Sequence, residues 1–202
     1  MTISNTEDTR RGVFPFTILV IHVPTTANAQ MSHAVVCGAS SGIGYASAVT
    51  LASMGASVTV VARRAERLEE LLPKLLESGA NKAQLVAADL DEGSVATDAI
   101  LQKAQALAPI EILINNAGGP PGGALLEAES ESFVTGFQRH VLVSQRLVQG
   151  CLNSMSAAGY GRIINIISTS VREPIPGLGV SNTIRGAMAG WSKTLVRELP
   201  PG

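Results

Sequence analysis

Residues 33 to 55 read HAVVCGASSGIGYASAVTLASMG, a short β-branched run, a turn with glycines at 38, 42 and 44, and then a longer run of helix formers. A strand that passes through a glycine turn directly into a helix is the opening unit of a parallel α/β sheet, and few other folds accommodate it. Each glycine has its own reason. Gly38 permits the tight turn, Gly42 lets backbone N–H groups approach a bound anion, and Gly44 lets the helix lie close to the strand. Such a turn is weak evidence when it stands alone, so the surrounding pattern decides.

That pattern alternates strands and helices to the end of the chain. After the first helix (43–54), SVTVV at 57–61 predicts a second strand, and AERLEELLPKLLES carries leucines at 68, 71, 72, 75 and 76 in helical spacing. Gly79 is placed to close that helix in the left-handed conformation. AQLVAAD predicts the third strand, Ser94 is placed to cap a helix running to Leu107, and IEILIN at 110–115 predicts the fourth. A long helix over about 130–157, a fifth strand RIINII at 162–167 and a last helix over about 181–199, ended by Pro200 and Pro201, complete the series. The fold class is therefore α/β, a Rossmann-type doubly wound parallel sheet in the order 3-2-1-4-5, with its topological switch beside the first strand. With 202 residues, 46% hydrophobic and 15% charged, the chain is one ordinary domain.

A net charge of -1 with interspersed signs leaves no basic surface for nucleic acid. Cys37 and Cys151 read as two reduced thiols, and His22, His33 and His140 lack metal-ligand spacing with either, so no metal is expected. Residues 1–30 stand apart. Arg10 and Arg11 precede the apolar run VFPFTILVIHV, and ANAQ supplies a small-residue cleavage pattern, as in an exported protein's signal. Alternatively Met31 is the true start and the preceding residues are a spurious extension. The position of Met31, a few residues before the first core strand, favours that alternative, with a domain over 31–202 and a cytoplasmic location. The run is too short to span a membrane.

The spacing of the glycines, the pair Asp89-Leu90 and the motif NNAG at 115–118 together resemble the short-chain dehydrogenase/reductase family over residues 33–199. The resemblance implies a nicotinamide cofactor held by Gly38, Ser40, Ser41, Gly42, Ile43, Gly44, Asp89, Leu90, Asn116, Ala117 and Gly118. The end of the second strand selects the cofactor. It reads VVARRAER, with no acid before Glu66, so Arg63 and Arg64 are placed to pair with a 2′-phosphate and NADP(H) is expected. The plainer alternative is that both arginines only solvate a loop.

The same resemblance implies four catalytic positions: a serine for the substrate carbonyl, a tyrosine for the proton, a lysine for the nicotinamide ribose and an asparagine for a water relay. Ser168 matches the serine. Thirteen residues on, the tyrosine position holds Ser181, four further on the lysine position holds Arg185, and twenty-eight before Ser168 the asparagine position holds His140. Neither Tyr45 nor Tyr160 is followed by lysine at the required spacing, so sliding the alignment does not restore the motif. A serine hydroxyl is a far weaker acid than a phenol, and arginine stays protonated. Arg185 can hold ribose and developing negative charge, and His140 with Ser181 is the expected proton path, set against a packed histidine with a satisfied ring.

The stretches NNAGGPPGG, SVREPIPGLGVSN and SNTIRGAMAGW resemble a branch similar to 3-oxoacyl-[acyl-carrier-protein] reductases in which Ser-Asn and arginine replace tyrosine and lysine. Family members continue for two further strands and a substrate-covering segment, whereas this sequence ends RELPPG. It is read as C-terminally truncated, with its fifth strand an unprotected edge and a second copy docking through the two long helices. The implied activity is NADP(H)-dependent reduction of a small-molecule or acyl carbonyl. The alternatives are a catalytically silent nucleotide-binding protein and a fragment.

Overall fold

Alternate residues of the central strands face opposite ways, and that alternation builds two cores. In a computed structural model, which describes residues 18–23 and 32–199, the strands are β1 (Ile18–Val23), β2 (His33–Cys37), β3 (Ser57–Ala62), β4 (Ala83–Ala87), β5 (Ile112–Asn115) and β6 (Gly161–Ile166). On one face Val35, Cys37, Leu113 and Ile163 pack against α4 (Ser94–Leu107) and α6 (Val143–Ala158). On the other, Ala34, Val36, Val58, Val60, Ile112 and Ile114 pack against α1 (Gly42–Ser53), α2 (Ala65–Glu69) and α3 (Leu71–Ser78). Leu68, Leu71 and Leu75 are fully buried there, each worth about 2 kcal/mol of transfer free energy. Cys37 and Cys151 are buried free thiols, and burial pushes both up to about 12.

The sheet order is β1-β6-β5-β2-β3-β4. Its five parallel members, β4-β3-β2-β5-β6, have the expected 3-2-1-4-5 order, and the switch lies between β2 and β5. The sixth strand is a departure. β1 pairs antiparallel with β6, Ile18 opposite Ile166 and Val23 opposite Gly161, so the fifth parallel strand is not the open edge expected of it. The pairing lies within the segment set apart in the sequence; the rest of 1–30, including the arginines and the small-residue pattern, lies outside the described residues, as do Pro200 and Pro201.

Three helix details also differ from the sequence reading. Ser94 does not cap α4; it is the first helical residue, and Gly93 (φ 58°) occupies the cap. The leucine-rich helix is broken at Glu70, although Gly79 closes it with φ 114° as expected. The helix expected over 130–157 is α5 (Ser130–Phe137), one π-turn over Gln138–Leu142, and α6. The π-turn carries an extra residue per turn, so it re-aims the side chains at 139 and 140. Helix α7 (Gly179–Glu198) packs over β6 with Ile184 and Met188 buried, and Trp191 donates to Gln145 Oε1 at 2.7 Å, tying α7 to α6. A buried chain of bonds fixes this side: Asn115 Nδ2 donates to Asn165 Oδ1 (2.8 Å), Asn165 Nδ2 to Ser192 Oγ (3.0 Å), and Ser192 Oγ to the Met188 carbonyl (2.8 Å).

Candidate active site

Where β2 and β5 diverge, the loops after the parallel strands enclose a cleft of about 770 Å³. Its floor is the glycine turn. Gly38 has φ 64°, and a Cβ there would lie 2.6 Å from Asn116 Nδ2 and 2.7 Å from the Asn116 carbonyl oxygen. A Cβ on Gly44 would meet the Gly38 carbonyl oxygen at 2.3 Å, so the helix approaches the strand as closely as glycine alone allows. Asn116 Nδ2 holds the turn by donating to the carbonyls of Cys37 (3.3 Å) and Gly38 (3.4 Å). Helix α1 begins with no side-chain cap and no acid in its first turn, so its first N–H groups face the cleft uncompensated. Nothing lies within 4 Å of the Cβ direction of Gly42, which leaves the approach open. A diphosphate fits this cradle.

One end of the cleft carries Arg63 and Arg64. Arg63 is largely exposed, 4.0 Å from Asp89 Oδ2, and Arg64 Nη2 donates to Ser40 Oγ at 3.4 Å. Asp89 accepts from Asp91 N (3.1 Å), which shapes the turn carrying Leu90. The cleft walls contain Gly38, Ser40, Ser41, Gly42, Ile43, Arg63, Arg64, Asp89, Leu90, Asn116, Ala117, Gly118 and Arg185, while Gly44 stands behind Gly38.

Arg139 is a wall residue that the sequence reading did not single out. Its Nε and Nη2 donate to the two oxygens of Asp91 at 2.5 Å each, and its Nη1 donates to the Gly118 carbonyl at 3.4 Å. One guanidinium thus joins the turn after β4, the loop after β5 and the π-turn. Arg139 beside it holds the Asp91 carboxyl below the usual range. Adjacency to His140 was the one available signal, and it does not show which face residue 139 takes.

The other end gathers the variant residues. Ser168, Ser181, Arg185 and His140 are buried, at 8%, 9%, 6% and 4% exposure. Ser168 Oγ accepts from Ser170 N at 3.1 Å. Arg185 Nη1 donates to the Ile166 carbonyl (2.9 Å) and lies 3.5 Å from His140 Nδ1. Burial, and then the charges of Arg185 and Arg139, push His140 down to about 3, although the Gly118 carbonyl and Asp91 act the other way. His140 is therefore neutral near pH 7, and Nδ1 is the acceptor facing Arg185. This corrects the expectation that it carries a proton near neutral pH: two neighbouring cations and lost hydration disfavour the imidazolium. Its Nε2 is buried without a hydrogen-bond partner beside a cavity of about 10 Å³, room for one water, lined also by Asn116, Arg139 and Ser144.

Among the described residues no three His, Cys, Asp or Glu side chains come together to hold a metal, and no helix is long and apolar enough to cross a membrane.

Comparison with known proteins places this geometry. The family model for short chain dehydrogenase matches residues 32–202. A short chain dehydrogenase of Pseudocercospora fijiensis is 32% identical over 173 residues, covering 84% of this chain and 55% of that one. Two solved structures superpose with TM-score 0.77: L-sorbose reductase from Gluconobacter frateurii with NADPH and L-sorbose, 32% identical, and a 3-oxoacyl (acyl-carrier-protein) reductase from Agrobacterium tumefaciens with NADP, 26% identical. Each covers 83% of this chain, which spans 64% of each of theirs. With a cleft at the switch point, a turn only glycine can make and a family match from the first parallel strand onward, the chain belongs to the short-chain dehydrogenase family.

Proposed function

We propose that this chain binds NADP(H) and reduces a carbonyl compound, with a short 3-oxoacyl compound as the substrate class, in the cytoplasm. The observation that carries the reading is the cleft itself, which has a diphosphate cradle in the middle, Arg63 and Arg64 at one end and buried Arg185 at the other. Bound there, NADP(H) would supply the hydride. The first end selects the 2′-phosphate by charge. At the second, Ser168 orients the carbonyl oxygen, and Arg185, fixed by the Ile166 carbonyl and by neutral His140, places a positive charge that favours the negative charge developing on that oxygen. Water in the open cleft supplies the proton, because no side chain at this end titrates near pH 7.

His140 also motivates a second reading. A proton donor is absent where the family mechanism needs one, which favours a nucleotide-binding protein that does not turn over. Calorimetric titration with NADPH and NADH, run beside NADPH oxidation with a panel of ketones, separates the two. Binding with turnover supports the reductase, binding without turnover supports the silent protein, and absence of nucleotide binding overturns both.

A further inference from the structure

Arg185 is almost wholly buried and, among the described residues, has no carboxylate within ion-pair distance. Both of its hydrogen-bonding contacts use Nη1, which leaves Nη2 without a protein acceptor. The Ser181 hydroxyl likewise has no hydrogen-bond partner among the described residues. These two free donors converge. A Cβ built on Gly119, a wall residue of the cleft, would lie 3.6 Å from Arg185 Nη2 and 4.0 Å from Ser181 Oγ, and nothing else comes within 4 Å of it outside its chain neighbours. A buried guanidinium without a counter-charge is costly, and an anionic oxygen set between a guanidinium and a hydroxyl removes that cost. The other cationic groups are already engaged: Arg139 is paired with Asp91, and Arg63 and Arg64 stand where the nucleotide enters.

We propose that Arg185 Nη2 and Ser181 Oγ form a carboxylate subsite in front of Gly119, so that the cleft takes short oxo acids in their ionised form rather than their neutral esters or amides. The subsite rests on the reductase reading only in identifying its occupant with the carbonyl substrate. One carboxylate oxygen accepts from Nη2 and the other from the Ser181 hydroxyl. His140 accepts at Nδ1 from Nη1 and so keeps the second nitrogen turned toward Gly119. The arrangement makes replacement of lysine by arginine productive, since a forked guanidinium binds its fixed partners with one nitrogen and a ligand with the other.

The test is calorimetric titration of the full chain with acetoacetate and with acetoacetamide, its neutral analogue, in the presence and absence of NADPH. Acetoacetate is expected to bind about tenfold or more tightly than the amide, a ratio set by the charge-assisted bonds. Arg185→Met is expected to abolish that preference and Arg185→Lys to retain part of it. Gly119→Ala places a methyl at ordinary contact distance from both donors, and Gly119 does not require the left-handed backbone, so that variant fills the subsite even if Arg185→Met fails to fold. Equal affinities for the two ligands, or a preference unchanged in Gly119→Ala, overturn the subsite while NADPH binding leaves the nucleotide reading standing. A carboxylate preference without NADPH binding supports the subsite and overturns the reductase reading.

Discussion

Replacing Arg139 by leucine removes a forked ion pair and a bond to the Gly118 carbonyl in one step. The side chains of Arg139 and Asp91 are 20% and 32% exposed, so solvent screens the pair but does not cancel it. Hydrogen bonds to charged groups contribute roughly 1.5–3 kcal/mol and fully exposed pairs 0–1, so a coupling of about 1–2 kcal/mol is expected between Arg139→Leu and Asp91→Asn. Urea unfolding of the wild type, both single variants and the double variant measures it as a cycle. The pH dependence supplies a second constraint. The folded carboxyl of Asp91 lies below its unfolded value near ~3.9, so its contribution is complete above that pH and is lost as pH falls through the folded value. The wild-type advantage over Arg139→Leu should therefore narrow below about pH 4, and because the Arg139 charge also disfavours the His140 imidazolium, its removal eases that acid penalty and narrows the advantage in the same direction. A coupling near zero at neutral pH, or an advantage that grows on acidification, would refute the clamp.

Other consequences follow from the cleft and its walls. Arg63→Ala/Arg64→Ala should erase a preference for NADPH over NADH of about 1–3 kcal/mol, read from the ratio of dissociation constants; an unchanged ratio returns both arginines to the role of loop solvation. Because His140 stays neutral in the fold down to about pH 3 while the unfolded imidazole protonates near ~6.5, the wild type should lose stability as pH falls through that window. His140→Leu should flatten this dependence, and no imidazole step should appear in any reductase pH profile between about 5 and 8; a step lost in that variant would restore the proton role. Asn165→Leu removes the acceptor of buried Asn115 Nδ2 and the donor to Ser192 Oγ, which keeps only its bond to the Met188 carbonyl, for a loss of about 2–5 kcal/mol by denaturant unfolding.

The parallel sheet was legible because its signals are local. A β-branched run followed by a glycine turn, or leucines at helical spacing as at 68, 71 and 75, carries its own reason, and the structure places the first in a strand and helix as expected and the leucines on the buried faces of two helices that break at Glu70. The cleft end containing the glycines was legible for the same reason, since the steric demands on Gly38 and Gly44 come from residues close in the unit or in the adjacent strand loop. What could not be read depends on distant groups. The π-turn inserts one residue into an otherwise continuous helical pattern, and it decides that Arg139 meets Asp91 while His140 is buried. The state of His140 is set by Arg185 from another helix and by lost hydration, neither of which a count of positions contains. Ser94 illustrates a smaller failure: a good capping residue was displaced by one position because Gly93 takes the positive φ that the chain needs there.

The pairing of β1 with β6 also fixes an order of events during synthesis. Roughly 140 residues separate the two strands, so the outermost ladder of the sheet is among the most non-local contacts in the molecule. While the intervening βα units emerge and pack, Ile18–Val23 has no β6 to pair with. Its backbone donors and acceptors must remain solvated, or be shielded by a chaperone, until Ile166 has left the ribosome. Closing so large a loop costs little more than closing one half its length, so the delay is kinetic rather than a heavy thermodynamic burden. Slow translation between residues 23 and 161 would therefore lengthen the interval in which an apolar strand seeks a partner, making aggregation sensitive to synthesis rate even where the finished fold is equally stable.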